Sequence, residues 1–297
     1  MIALLLACSA ATSPPPETTE DTAAADTGAP PTRWVAISAG GDHSCGLTTT
    51  GEALCWGSDE HGQSSPPAAT FLDVRASEHH SCGLTTTGEA LCWGIDDASG
   101  LDYGQVSLTP AAERFTALSA GHMHTCGLTE AGTLLCWRDK YEPPAGEYQA
   151  VTVGNPASCA ADLSGAVRCW GPVYHGQDLA PQGVAFGSLS MGLYHVCGLT
   201  EADEIRCWGY EDGGLLEAPA GAFRALDAGW TQTCAIDSDG ALACWGADYS
   251  GEGAPPAGQY AAVSAGKQHA CAIDEDGTAL CWGRDSHGQL TVPQSLP

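Results

Sequence analysis

Residues 43–57 read HSCGLTTTGEALCWG, and residues 80–94 repeat the same letters without a change. The rest of the chain unfolds from this stretch. Two cysteines ten residues apart recur seven times: Cys45 with Cys55, Cys82 with Cys92, Cys126 with Cys136, Cys159 with Cys169, Cys197 with Cys207, Cys234 with Cys244 and Cys271 with Cys281. A tryptophan follows every second cysteine, from Trp56 and Trp93 to Trp245 and Trp282. An aromatic stands eleven residues before every first cysteine: Trp34, Phe71, Phe115, Tyr148, Phe186, Phe223 and Tyr260. From that aromatic to the tryptophan all copies have one length, and all length variation falls after the tryptophan. Internal repetition at this period marks a solenoid, a propeller or an array.

Each copy reads as strands. WVAISAG, FTALSAG and YAAVSAG alternate apolar and small residues. If Cys45 faces Cys55, then Leu47 faces Ala53 and Thr48 faces Glu52, leaving Thr49, Thr50 and Gly51 as a three-residue hairpin loop. Such loops take a left-handed residue at the third place. Gly51, Gly88, Gly132, Gly165, Gly240 and Gly277 occupy it, with Asp203 in the remaining copy. The same register puts the two cysteines of each copy opposite one another, at cross-strand distance, so seven disulfides are expected. Zinc held by a His43-Cys45-Cys55 set and free thiols are the alternatives. No closely spaced C-x2-C pair, the usual structural zinc signature, is present. Seven copies made of short strands predict an all-β, seven-bladed β-propeller with three or four strands per blade, filling residues 34–297.

The pattern AGxxHxCxLxxxGxxxCWGxxxxGQ, clearest in SAGGDHSCGLTTTGEALCWGSDEHGQ at residues 38–63, resembles repeats of the regulator of chromosome condensation family. The resemblance covers nearly everything from Trp34 onward and implies the same seven-bladed propeller. The short repeat is similar to compact bacterial members, among them a secreted inhibitor of β-lactamases that works through a propeller face. The nucleotide-exchange and chromatin-docking activities of the nuclear founder are not expected, since no motif here carries them and fold does not imply function.

The chain opens MIALLLAC. Residues 1–8 resemble a bacterial lipoprotein export signal with Cys8 as the lipidated residue, in a shortened form without a basic start. Residues 9–33 are Pro, Thr, Ala, Glu and Asp without apolar periodicity and read as a disordered tether. The expected location is the cell envelope or surface, with secretion as the alternative. Fifteen cysteines fit an oxidising compartment. Lys and Arg number 10 against 36 Asp and Glu, a net charge of −26. This argues against nucleic-acid binding, which runs on basic residues, and against docking on anionic lipid except through an anchor at Cys8. It favours a basic protein partner.

Repeats permit a subtraction. Fourteen of the 21 aromatics sit in the two framework columns; the others are Trp230, Tyr103, Tyr141, Tyr174, Tyr194, Tyr210 and Tyr249. Trp and Tyr are hot-spot types. Strand polarity places the AGxxH turns and the residues after each CWG on one face, and the Gly hairpins, read as polar and small, on the other. Leu193, Tyr194, Tyr210, Trp230 and Tyr249 are expected to form an exposed patch on the first face, with Met123, Tyr141 and Tyr174 nearby. The His two residues before the cysteine (His43, His80, His124, His195, His269) reads as a structural hydrogen-bonding residue, and the aspartates three after the tryptophan as Asx-turn residues. No catalytic residue, metal site or cofactor is predicted. The reading is a non-catalytic, surface-tethered binding module for a protein partner. An envelope structural protein and a propeller enzyme acting on polysaccharide are the alternatives.

Overall fold

In the computed structural model, which describes residues 32–138, 140–294 and 296, each copy forms one antiparallel three-stranded sheet. In the first blade these are β1 (Trp34–Ala39), β2 (His43–Thr48) and β3 (Ala53–Gly57). The register is the one the cysteines require: Cys45 pairs Cys55, Gly46 pairs Leu54 and Leu47 pairs Ala53. All seven expected disulfides are formed. Cys45 is bonded to Cys55, Cys82 to Cys92, Cys126 to Cys136 and Cys159 to Cys169. Cys197 is bonded to Cys207, Cys234 to Cys244 and Cys271 to Cys281. The zinc and free-thiol alternatives therefore fall. Within each bond the two sulfurs differ in setting. The first cysteine of every pair is fully buried in a seam between blades. Its partner, Cys55, Cys92, Cys136, Cys169, Cys207, Cys244 or Cys281, stands on the outer strand and is only half-buried.

The six hairpin glycines have φ between 76° and 90°, and Asp203 takes the same left-handed conformation at 60°. A bulge displaces the second residue of each first strand, which turns Val35 and Leu72 outward. Among the described residues no sheet has a fourth strand.

The first strands of consecutive blades touch one another around an axis, and β1 closes the circle against Tyr260–Ala265 of the last blade. The core lies between blades. Cys45, Leu47 and Ala53 of the first blade pack on Phe71, Val74 and Trp93 of the second, and six further clusters fill the other seams. A pleated sheet with two apolar faces cannot stand alone; stacking neighbours around a circle buries both faces of every blade.

Three sets of hydrogen bonds stitch the seams. At the hairpin end, the backbone N–H of each framework aromatic donates to the third loop residue of the preceding blade, from Phe71 to Gly51 at 2.8 Å through Phe223 to Asp203 at 2.8 Å, closing with Trp34 to Gly277 at 3.0 Å. At the outer edge, the indole N–H reaches a carbonyl of the preceding blade's last loop: Trp93 to Gln63 at 2.9 Å and Trp208 to Gln177 at 2.7 Å, with Trp56 to Gln289 at 2.8 Å across the closure. The glutamine side chain holds that loop, Gln63 Oε1 accepting from the N–H of His61 at 2.8 Å. This accounts for the Trp and the GQ of the repeat.

The third set is buried. His43, His80, His124, His195 and His269 each place Nε2 2.7–2.9 Å from a hydroxyl of the next blade: Ser81, Thr125, Ser158, Thr233 and Ser44. The two exceptions change together. Where the histidine is Ala157, the next blade carries Val196 in place of the hydroxyl, and Met191 takes the space: a Cβ on Gly154 would meet Met191 Cγ at 2.8 Å, as one on Gly40 would meet His43 Cε1 at 2.9 Å. Where it is Gln232, the next blade carries Ala270. Burial holds the imidazoles neutral, with His43 and His80 lowered to about 3 and His195 and His269 to about 4.

The AGxxH glycine follows from the closeness of the blades at the axis. A Cβ on Gly192 would lie 2.1 Å from the carbonyl oxygen of Gly229. Asp59, Asp248 and Asp285 after the tryptophan cap their own loops, Asp59 Oδ1 accepting from Ser64 N–H at 2.8 Å. Hairpin aspartates do the same: Asp237 Oδ1 accepts from Asp239 and Ala241 N–H at 2.9 and 2.8 Å. Cys8 and residues 9–31 lie outside the described residues.

Candidate functional site

The two variable residues of each AGxxH turn part company. The first points to the axis and the second away from it. Glu78, His122, Asn155, Leu193 and Trp230 line the mouth of an axial cavity of about 120 Å³, and Lys267 joins them by its side chain. That volume holds several water molecules or the tip of one side chain, not a polymer. Backbone bonds fix the rim: Leu193 N–H donates to Trp230 O at 3.3 Å, Trp230 N–H to Gly266 O at 3.1 Å and Lys267 N–H to Gly40 O at 3.1 Å.

The mouth carries a linked set of groups. Lys267 Nζ lies 4.1 Å from the centroid of the Trp230 ring and 3.0 Å from Glu78 Oε1. The Glu78 side chain is 7% exposed, and its second oxygen has no hydrogen-bond partner. The ring of His122 packs on Trp230 at 5.8 Å, His79 on His122 at 6.1 Å and His61 on His79 at 5.4 Å. Burial lowers His122 and His79, and the Glu78 carboxylate partly offsets this.

Deeper in the cavity, the residue before the AG of each blade faces inward. The column reads Ser38, Arg75, Ser119, Thr152, Ser190, Asp227 and Ser264. Its ordinary task is a clasp: Ser38 Oγ accepts from Ala76 N–H at 2.9 Å, Ser119 Oγ from Val153 N–H at 3.0 Å, Ser190 Oγ from Ala228 N–H at 2.9 Å and Ser264 Oγ from Ala39 N–H at 3.0 Å. Asp227 keeps the clasp with a carboxylate. It accepts from Ala265 N–H at 2.9 Å and from the hydroxyls of Ser190 and Ser264, both at 2.8 Å. Burial pushes its carboxyl up against these bonds. Arg75 cannot accept, and instead donates to Asp73 within its own strand at 2.8 Å. Asp73, first among its neighbours, raises the Arg75 guanidinium, whose side chain keeps 48% of its surface accessible.

A second cluster lies outside the mouth. His175 sits 4.8 Å from Tyr194 and 4.7 Å from Tyr210, and the two tyrosines are 6.1 Å apart. The expected patch is thus divided. Tyr194 and Tyr210 come together around His175; Leu193 and Trp230 join the axial mouth. Tyr174 and Tyr249 are exposed and have no ring partner among the described residues. Tyr141 lies beside Gly171, and Met123 is half-buried. Tyr103 lies under Arg138, whose guanidinium carbon is 5.7 Å from the ring centroid. The hairpin face departs from its small and polar reading at one loop residue, Leu163, which is exposed together with Val35 and Leu72 of the first strands.

Sequence reasoning passed over Glu78, Lys267 and the Arg75/Asp227 pair. The signal was present: in the column before AG, these two are the charged members among hydroxyls. His175 was also missed, because its partners belong to the next blade.

The regulator of chromosome condensation (RCC1) repeat model matches residues 34–63, 71–105 and 260–289. No curated protein is significantly similar to the chain. Among solved structures, the CRINKLY WD40 ectodomain of the Arabidopsis thaliana receptor kinase ACR4 superposes with a TM-score of 0.72 at 22% identity, over 86% of this chain and 97% of that one. The ectodomain of the Physcomitrella patens receptor kinase CR4 gives 0.71 at 24% identity, over 85% and 74%. Prp20p of Saccharomyces cerevisiae, a structure reported with its binding properties to Gsp1p and histones, gives 0.67 at 15% identity, over 79% and 81%. Three stretches of the chain thus carry regulator of chromosome condensation repeats, and the seven three-stranded blades together with these neighbours show the fold to be a seven-bladed propeller.

Proposed function

We propose that the protein is a non-catalytic binding module that engages a protein partner through its AGxxH face. One observation carries this reading. Side chains that escape the repeat converge on that face as two groups, an aromatic and charged one around Trp230 and a cluster of rings formed by His175, Tyr194 and Tyr210. Rigid Trp and Tyr rings on a stapled scaffold offer large contact area at little entropic cost. Seven disulfides suit an oxidising, extracellular setting. A net charge of −26 speeds encounter with a basic partner. The acidic groups at the axis are committed to clasps and ion pairs rather than poised as an acid–base couple. Cys8 is the proposed lipid anchor and residues 9–33 the spacer that holds the propeller off the membrane.

The test is capture from native envelope and culture-medium extracts on the full chain, beside Trp230→Ala and a Tyr194→Ala/Tyr210→Ala double variant. A protein held by the parent and lost from either folded variant supports the reading and selects the cluster. Equal capture by parent and both variants refutes it. For the anchor, Cys8→Ser should move the chain from the membrane pellet to the soluble fraction; an unchanged distribution refutes lipidation there.

A further inference from the structure

Glu78 is only half satisfied by the cation it holds. Its carboxylate is walled in by the turns at the axis, with a side chain 7% exposed. Lys267 satisfies Oε1 at 3.0 Å, while Oε2 is buried without any partner. Oε2 lies against Gly41, where a Cβ would come within 2.7 Å of it; the missing side chain leaves that oxygen its room. A buried, unpaired carboxylate oxygen is costly. An ammonium is a point donor and settles one oxygen well, whereas a planar guanidinium donates two parallel N–H bonds to both. The Lys267 ammonium bridges the carboxylate and the indole of Trp230, lying 3.0 Å from Glu78 Oε1 and 4.1 Å from the ring centroid. Arg stacks on an indole better than an ammonium does. Carboxylate, indole face and a cavity of side-chain-tip size occur together at the centre of the face read above as the partner surface.

We propose that the axial mouth is an arginine receptor: a guanidinium from a protein partner displaces the Lys267 ammonium, stacks on Trp230 and forks onto both oxygens of Glu78. Lys267 is then a tethered competitor, which keeps the site filled until a better cation arrives. The partner presents an arginine at a protruding position, and the chain's negative charge draws it in. This rests on the reading of the face as a protein-binding surface, but the pocket can be tested without the partner.

The probes are N-acetyl-arginine amide, N-acetyl-lysine amide and ethylguanidinium, titrated into the full chain by calorimetry and by the indole resonances. The arginine amide and ethylguanidinium should both bind, and the lysine amide tenfold or more weakly. Lys267→Met, which removes the competitor, should tighten the guanidinium probes at least tenfold. The isosteric Glu78→Gln should weaken them at least tenfold with an unchanged near-ultraviolet spectrum. Absence of guanidinium binding to both the parent and Lys267→Met at tens of millimolar overturns the proposal. So does indifference to Glu78→Gln, or equal binding of the lysine probe. A captured protein that binds parent and Glu78→Gln equally also overturns the pocket while leaving the module reading intact. Guanidinium binding that needs Glu78, with no protein captured by the face, supports the pocket and removes the partner reading.

Discussion

Ser44 is the sharpest test of how the ring is closed. Its hydroxyl lies 2.9 Å from His269 Nε2 and donates to the Gln289 carbonyl at 3.2 Å, joining the first blade to the last. Both side chains are fully buried. His269 Nδ1 has no partner, so Nε2 is the ring's single polar contact. Ser44→Ala leaves the whole imidazole buried and unsatisfied. Gln289 O keeps the Trp56 indole at 2.8 Å, so little is lost there. An orphaned buried polar group costs about 1–3 kcal/mol, and about 2 kcal/mol is expected here. That is roughly a thirtyfold fall in the folded-to-unfolded ratio. The assay is urea unfolding at neutral pH with disulfides intact, run as a double-mutant cycle with His269→Ala. The coupling should be about 1 kcal/mol or more. The chain also contains its own control, because the Ala157–Val196 seam replaces the polar pair and Met191 fills the space. Transplanting that solution as His269→Ala/Ser44→Val/Ala39→Met should recover at least half of the loss seen in Ser44→Ala. A cost below about 0.5 kcal/mol for Ser44→Ala, or no coupling in the cycle, would refute the claim that these pairs hold the seams.

Acid should open the molecule. His43 and His80 are lowered to about 3, and His195 and His269 to about 4, from 6.5. Below 6.5 the unfolded chain takes up protons that the folded chain refuses, so stability falls from there until the folded values are reached. By about pH 4.5 each contributes roughly 2–3 kcal/mol of loss, on the order of 10 kcal/mol together. A urea midpoint that stays flat from about pH 7 to 4.5 contradicts this. Gly192→Ala places a Cβ 2.1 Å from Gly229 O and 2.4 Å from His195 Cε1, and should cost about 3 kcal/mol or more in thermal unfolding; a neutral result refutes the close approach at the axis. Arg138 stands left-handed at φ 66° where six blades carry glycine. Arg138→Gly should raise Tm by about 1–3 °C, while Arg138→Ala, which keeps the strain and loses the contact with Tyr103, should lower it.

The blade was legible because its constraints are local. Ten-residue cysteine spacing allows one hairpin register, and that register demands a left-handed residue where six glycines and Asp203 stand. The structural role of His43 and its counterparts was legible too. The paired losses, Ala157 with Val196 and Gln232 with Ala270, already name the next blade as the hydrogen-bond partner. What escaped depends on closure. Nothing inside one repeat says that Arg75 and Asp227 look into a shared cavity, or that Lys267 of the last blade reaches Glu78 of the second, two blades away. His175 belongs to the loop after one tryptophan, yet its contacts are tyrosines of the following blade. Aromatic type alone grouped Trp230 with Tyr194; the direction in which alternate turn residues point separated them.

Every sheet here comes from one unbroken segment, the last blade as much as the first, and the closing seam uses the same kinds of bond as the seams inside the ring that keep the histidine–hydroxyl pair. The ring is therefore a bracelet of self-contained links without a privileged clasp. Its ends could be moved to another inter-blade loop, as a circular permutant, without cutting a strand or parting a disulfide. By the same logic, duplicating or deleting one unit would change the circumference while leaving every link whole. What limits that freedom is the axis, where glycine contacts of 2.1–2.8 Å from a would-be Cβ fix the curvature that seven links share.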